Sequence, residues 1–305
     1  MPGRSDQRQR ADRETGRVRS QSPPPWVSVI IPTYGRPAQL AACLRALAVQ
    51  DRLQVELVRQ PHRGPASTRN SGTARARGAV LAFTDDDSLP APEWLHWLVA
   101  DLDPDAGVAV GGRTVNALAR NPFSTASQLL VTYLYAYYNA DHQRARFFTT
   151  NNLAFPRRAF ERIGGFDTSF TLSGGEDREL CDRWLQHGLR MRYEPRACAY
   201  HAHALTTRGF LRQHFTYGRG ACHFRSARLR RGLGPVKTEP PSFYAGMLSA
   251  PFRTPRRQPA PLLAALLVLA QATTVLGYLY ESRRASAPAT LEDGQRVDRR
   301  AGGRG

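Results

Sequence analysis

Short apolar runs closed by proline, glycine or acidic residues alternate along the chain with stretches whose apolar positions recur every three to four residues, the order of an α/β domain. Trp26 to Ile31 is a β-branched run stopped by Pro32, which predicts a first strand. After the turn Thr33-Tyr34-Gly35-Arg36, Pro37 sits where a first helical turn accepts proline, and Leu40, Cys43, Leu44 and Leu47 carry a helix to about Val49. Leu53 to Val58 is a second strand candidate. Ala66 to Arg77 reads as a small-residue helix ended by Gly78, and Ala79 to Phe83 as a buried strand. Pro92 to Leu102 gives a helix striped by Trp94, Leu95, Trp97 and Leu98, and Val108 to Val110 a short strand leading into Gly111-Gly112. Phe123 to Asn139 reads as a helix whose tyrosines, Tyr133, Tyr135, Tyr137 and Tyr138, either pack or line a cleft.

The second half is more polar and punctuated by glycine. Asn151 to Phe155 resembles a strand, and Gly164-Gly165-Phe166-Asp167 a tight turn. Ser173-Gly174-Gly175 precedes a helix that opens on Glu176 and Asp177 and continues through Leu180, Trp184 and Leu185 to Gly188. Arg190 to Tyr200 alternates as a strand and closes on His201-Ala202-His203. From Pro261 to Tyr280 the chain is uncharged. Such a helix is long enough to cross a bilayer at the short end of the range, to lie in its interface, or to dock on the domain. Arginines flank it on both sides, so charge gives no orientation.

A length of 305 residues fits one catalytic-sized domain with appendages. The formal net charge is +18, and Thr207 to Arg257 holds eleven basic residues against one acid, Glu239. Nucleic acid, an anionic membrane surface or a phosphorylated ligand would suit that charge, as would a solvated linker. Nucleic acid is set aside, because the arginines are not interleaved with a stacking platform of aromatics. Cys43, Cys181, Cys198 and Cys222 are widely spaced and read as buried thiols of a reducing compartment. Met1 to Pro25, with six arginines and three acids, has no apolar segment of a signal peptide and is expected to be a disordered tail.

The candidate chemistry begins where the Ala79 to Phe83 run delivers Asp85-Asp86-Asp87 to a strand end, the place where ligands of open α/β sheets gather. Packed carboxylates repel one another unless a cation or hydrogen-bond donors neutralise them, so the triplet is either a metal site or a solvated capping turn. Glu176 and Asp177 stand in the first turn of a helix, where the macrodipole favours acids, and are either capping residues or part of the same site. His201 or His203 would add one nitrogen donor to an oxygen-rich site.

Four stretches, VSVIIPTYGRPAQLAACLRAL, GPASTRNSGTARARGAVLAFTDDDS, NNLAFPRRAFERIGGFD and GGEDRELCDRWLQHG, together resemble the ordered motifs of family 2 glycosyltransferases over roughly Trp26 to Arg225. The resemblance implies an α/β, GT-A fold, like that of nucleotide-diphospho-sugar transferases: a mixed, mainly parallel sheet flanked by helices, here with a C-terminal apolar helix. It implies Asp85 or Asp86 on the donor ribose, and Asp87 on Mg²⁺ or Mn²⁺ with Asp85, His201 and His203 as further candidate ligands. Pro32, Tyr34 and Arg69 fall where the family contacts the nucleoside. Asp177 matches the base that deprotonates the acceptor hydroxyl, with Glu176 its neighbour. The implied reaction is metal-dependent, inverting transfer from a nucleotide-sugar donor to an acceptor hydroxyl, lipid-linked or on a polysaccharide. The implied setting is the cytoplasmic side of a membrane, peripheral or single-span, against anionic lipid.

The expected layout is a basic tail (1–25), the GT-A domain (26–225), a basic linker (226–260), an apolar membrane-associated or docked helix (261–280) and a second tail (281–305). One departure bears on activity. Family members carry, after the first helix, a strand ending in an acidic turn that grips the nucleoside; here the helix ending near Gln50 runs straight into the family's next strand, Leu53 to Val58. The alternative function is therefore a catalytically impaired, glycosyltransferase-like binding protein.

Overall fold

A computed structural model describes residues 26–50, 54–236, 238–253 and 256–286. The expected N-terminal tail and residues 287–305 lie outside the described residues.

Six strands form one sheet: β1 (Val27–Ile30), β2 (Val80–Phe83), β3 (Ser88–Pro90), β4 (Val108–Asn116), β5 (Leu153–Pro156) and β6 (Arg190–His201), in the order β1-β2-β5-β4-β6-β3. The sheet is mixed: β1 with β2 and β4 with β6 are parallel, whereas β2 with β5, β5 with β4 and β6 with β3 are antiparallel. The parallel share is smaller than expected because Gln54 to Val58, the described part of the candidate strand Leu53 to Val58, adds no strand; Leu53 lies outside the described residues. Gln54 to Gln60 has no regular structure, and Val55 and Leu57 are exposed. Polar side chains tie this segment elsewhere: Gln60 donates to Thr68 (2.9 Å), and Glu56 pairs with Arg75 (3.6 Å). Both partners lie on the helix that follows.

The helices are α1 (Pro37–Leu47), α2 (Pro65–Arg75), α3 (Trp94–Val99), α4 (Pro122–Tyr138), α5 (Arg157–Arg162), α6 (Glu176–Gln186), α7 (Thr207–Arg230), α8 (Pro241–Arg253) and α9 (Ala260–Ser286). β2 is apolar at every position because both its faces are covered. Leu81 and Phe83 enter one core with Phe155, Phe160, Phe166 and Trp184, while Val80 and Ala82 enter another with Cys43, Leu47 and Trp94. Burying side chains of this size contributes roughly 1.5–3 kcal/mol each.

Two expected boundaries move. β4 runs straight through Gly111 and Gly112, which are sites of close approach and not a turn: a Cβ on Gly111 would lie 2.3 Å from the Phe148 ring, and one on Gly112 2.2 Å from the Ala197 carbonyl oxygen. The stretch 226–260, expected as a linker, contains the end of α7 and the whole of α8. Phe243 and Met247, one helical turn apart, are buried, and Tyr133 on α4 donates to the Phe243 carbonyl (2.7 Å). The density of arginine hid this apolar face. α9 also continues past Tyr280 to Ser286.

α9 is long and apolar enough to cross a membrane, with mean hydropathy 2.0. It lies along α7 at backbone contact: a Cβ on Gly218 would meet the Thr274 carbonyl oxygen at 1.9 Å, and one on Gly277 the Phe215 carbonyl oxygen at 2.0 Å. Leu263, Leu266 and Ala270 are buried with Phe210 of α7 and Ala126 of α4, and Leu267 with Leu129 of α4 and Met247 of α8, while Val268, Val275 and Leu276 face outward.

Candidate active site

β2 ends at Phe83, and Thr84 fixes the exit by donating to the Asn151 carbonyl (3.0 Å). The turn that follows carries Asp85, Asp86 and Asp87 before β3 begins, closed by Ser88 N–H donating to the Asp85 carbonyl (3.1 Å). Asp86 and Asp87 are buried. Buried carboxylates need compensation, and each acid finds a different partner.

Asp86 accepts from Thr33 (2.7 Å) and forms an ion pair with Arg36 Nη2 (2.7 Å) through Oδ1, an oxygen that lacks hydrogen-bond geometry to any partner. Burial raises its pKa against the Thr33 and Arg36 contacts. Asp87 accepts from Arg36 Nη1 (2.8 Å) and lies 3.3 Å from His201 Nε2. Burial opposes its ionisation, but His201 and Arg36 prevail and hold its carboxyl well below the usual range. Burial acts to lower the His201 pKa, and contact with Asp87 raises it overall. His203, its ring centroid 5.2 Å from that of His201, is pushed down to about 4 by burial and by His201.

Asp85 turns the other way. It accepts from Arg69 Nη2 (3.0 Å), and Arg69 Nη1 donates to Glu176 Oε1 (3.2 Å). Arg69 is 4% exposed and Glu176 3%, so one buried guanidinium joins the end of β2 to the start of α6, which are 91 residues apart in sequence (176 − 85). The second Glu176 oxygen accepts from Gly174 N–H (2.6 Å). Asp177, next along, accepts from the Arg178 N–H (2.8 Å). Burial, then the neighbouring Glu176, push its carboxyl up to about 7.

The start of α6 is positioned by glycine. Gly174 and Gly175 take φ of 125° and 95°, and a Cβ on Gly220 of α7 would lie 1.9 Å from the Gly174 carbonyl oxygen. Gly220, a glycine in the interior of α7, was the sequence signal for this crossing. Arg36 and Thr33, which neutralise the acids from the β1–α1 loop, were not singled out from sequence either; their place beside Tyr34 was the available clue. Among the expected nucleoside contacts, Pro32 is half-buried at the end of β1 and Tyr34 is exposed, its ring 4.2 Å from that of His62. Arg69 is committed to the two acids.

Among the described residues no three histidine, cysteine, aspartate or glutamate side chains converge as a closed metal site. Asp87 with His201 is instead one hard carboxylate and one imidazole. That open donor set suits a divalent ion that takes its other ligands from phosphate and water. Asp85, expected to share the ion, faces Arg69. All four cysteines are free and buried, as their spacing implied.

The family model described as glycosyl transferase family 2 matches residues 49–164, and the N-terminal domain of galactosyltransferase matches residues 134–205. The pre-mycofactocin glycosyltransferase of Mycobacterium tuberculosis is 30% identical over 172 residues, covering 55% of this chain and 36% of the relative. The validoxylamine A glucosyltransferase of Streptomyces hygroscopicus subsp. jinggangensis is 30% identical over 223 residues, covering 55% of this chain and 53% of the relative. The chain thus matches about half or less of the length of these curated relatives. A Pyrobaculum calidifontis mannosyltransferase solved with GDP-Man and Mn²⁺ superposes with a TM-score of 0.52 at 20% identity, covering 92% of this chain and 80% of that one, and shows the shared fold.

Proposed function

We propose that this chain, which belongs to the family 2 glycosyltransferases and has their GT-A fold, transfers a sugar from a nucleotide-diphosphate donor to an acceptor hydroxyl with inversion. The observation that supports the reading is the Arg69 bridge, which sets Asp85 and Glu176 on one guanidinium and so brings the two acidic clusters together. Asp177 is the general base: an acid raised to about 7 is both ionisable near neutrality and basic enough to take the acceptor proton. A single base acting on a direct displacement inverts the anomeric centre. Asp87 and His201 would hold Mg²⁺ or Mn²⁺, which neutralises the departing diphosphate when bound. The Mn²⁺ in the Pyrobaculum structure supports that choice of ion. Tyr34 and His62 offer an exposed stacking surface for the nucleoside base.

α9 works in the plane of a membrane surface in this reading. A spanning α9 would carry α7 into the hydrocarbon, and α7 exposes Arg208 and Arg212. The outward Val268, Val275 and Leu276, with Arg256, Arg257, Arg283 and Arg284 at the ends, suit an anionic interface instead. The free thiols agree with a cytoplasmic face.

Asp177→Asn and Asp87→Ala are each expected to abolish sugar transfer while leaving circular dichroism unchanged. Full turnover by both would end the assignment. A second reading, a sugar-nucleotide-binding protein without turnover, draws on the unpaired segment 54–60 and on Arg36, which already occupies Asp87. Calorimetric titration with a panel of nucleotide sugars and Mn²⁺, run beside a turnover assay, separates the two: metal-dependent binding with turnover supports transfer, and binding without it supports the second reading.

A further inference from the structure

A cleft of about 840 Å³ lies between β4, α4 and residues 256–258, within the roughly 300–1,000 Å³ usual for small-molecule sites. Its lining includes Arg113, Arg256, Arg257 and His142, and among the described residues no acidic side chain faces it. None of the three arginines has an ion-pair partner among the described residues, although eleven other arginines do. Arg256 and Arg257 also lie three to four residues before the N-terminus of the long helix α9, where the dipole adds positive potential and disfavours cations. Like charges converging on one cavity are tolerable when an anion occupies it. Guanidinium groups grip phosphate or carboxylate oxygens in a bidentate fashion.

Two further observations give the cleft direction. Gln258 donates to the Ala119 carbonyl (2.8 Å), while its Oε1 is buried without a hydrogen-bond partner. A saccharide hydroxyl would satisfy that oxygen, and Tyr193 and Tyr135 supply aromatic wall. The floor of the cleft leads to the acidic site: Asn116 is the β-ladder partner of His201, and the Ala117 N–H donates to the His201 carbonyl (2.9 Å). On the other wall, Tyr135 Oη lies 2.7 Å from Thr149 Oγ1, which donates to Asn151 (2.8 Å), the residue that holds Thr84 beside Asp85.

We propose that this cleft is the acceptor subsite and that it selects an acceptor bearing a phosphate or carboxylate group, held by Arg113, Arg256 and Arg257 with a sugar hydroxyl on Gln258. The assignment to an acceptor rests on the glycosyltransferase reading; the selectivity for an anion rests on the cleft alone.

The test is calorimetry on the full chain, without nucleotide sugar, using glucose 1-phosphate, glucuronate, glucose and the water-soluble lipid phosphate citronellyl phosphate. The charged probes are expected to bind at least about tenfold more tightly than glucose, and R256A/R257A to remove about that factor, the size of one charge-assisted contact. Arg113→Gln, on the opposite wall, should weaken the same probes, while Arg77→Gln, an exposed arginine outside the cleft, should leave them unchanged. Tighter binding of citronellyl phosphate assigns the anion to a lipid head, and tighter binding of the sugar acids to a saccharide; either upholds the proposal. Equal affinity for glucose and its phosphate, or charged-probe affinity unmoved by both arginine variants, overturns it. Charge-selective binding that persists in a protein without sugar transfer would sink the glycosyltransferase reading and leave the anion site standing.

Discussion

The two acidic clusters that Arg69 joins are neutralised in opposite ways. At the end of β2, Asp87 sits between Arg36 and His201, and its carboxyl is held ionised. At the start of α6, Arg69 is spent on Glu176, and Asp177 is left to burial and its acidic neighbour, which push it up to about 7. The same residue type is thereby prepared for two tasks. One carboxylate stays an anion and can hold a cation; the other sits where its proton comes and goes near neutral pH.

The largest test of that contrast is catalytic. Asp177→Asn is expected to lower kcat by about 10²–10⁴-fold with donor binding intact, the usual range for losing a general base. Asp87→Ala is expected to lose metal-dependent donor binding itself, read by calorimetry. Identical losses in both variants would erase the division of labour.

Next in size is the bridge between the ends. Arg69→Ala leaves Asp85 and Glu176 without their shared guanidinium, and breaking such a buried pair costs about 3–5 kcal/mol, measured by urea unfolding. An unchanged midpoint would mean that the bridge does not hold the two ends together.

Further from the acids, Gly218→Ala places a Cβ 1.9 Å from the Thr274 carbonyl oxygen and is expected to cost about 1–3 kcal/mol. Vesicle flotation should report weaker retention on anionic lipid as α9 is displaced.

The smallest effect is the pH dependence of stability, where the two acids should differ in sign. Asp177 ionises at about 3.8 when unfolded and about 7 when folded, so between those values the unfolded state holds fewer protons and stability falls as pH rises. Asp177→Asn should flatten that fall in Tm. Asp87, lowered in the fold, stabilises above its unfolded pKa and loses that contribution as pH falls through the folded one, so Asp87→Asn should flatten the acid limb.

Periodicity made the central sheet readable wherever an element buries its own apolar face: β2, β5, β6, α4 and α6 lie within a few residues of their expected bounds. It misled where burial depends on a partner. Val55 and Leu57 alternate like a strand, yet no described strand edge takes them. Phe243 and Met247 form a helical face that means nothing until α4 is present to cover it. The acids of the candidate site were visible as clusters. Their compensation was not, because Arg36 and Arg69 reach them across 51 and 16 residues and nothing local marks an arginine as spoken for. The close crossing of Gly220 on Gly174 is legible only as glycines placed where a helix does not ask for them.

The most direct measurement is the pH dependence of kcat/KM for sugar transfer by the wild type and by Glu176→Gln. An inflection near pH 7 that moves to lower pH in the variant, as the carboxylate beside Asp177 loses its charge, is the expected result. A profile that is flat through neutrality, or an inflection indifferent to Glu176, contradicts the account.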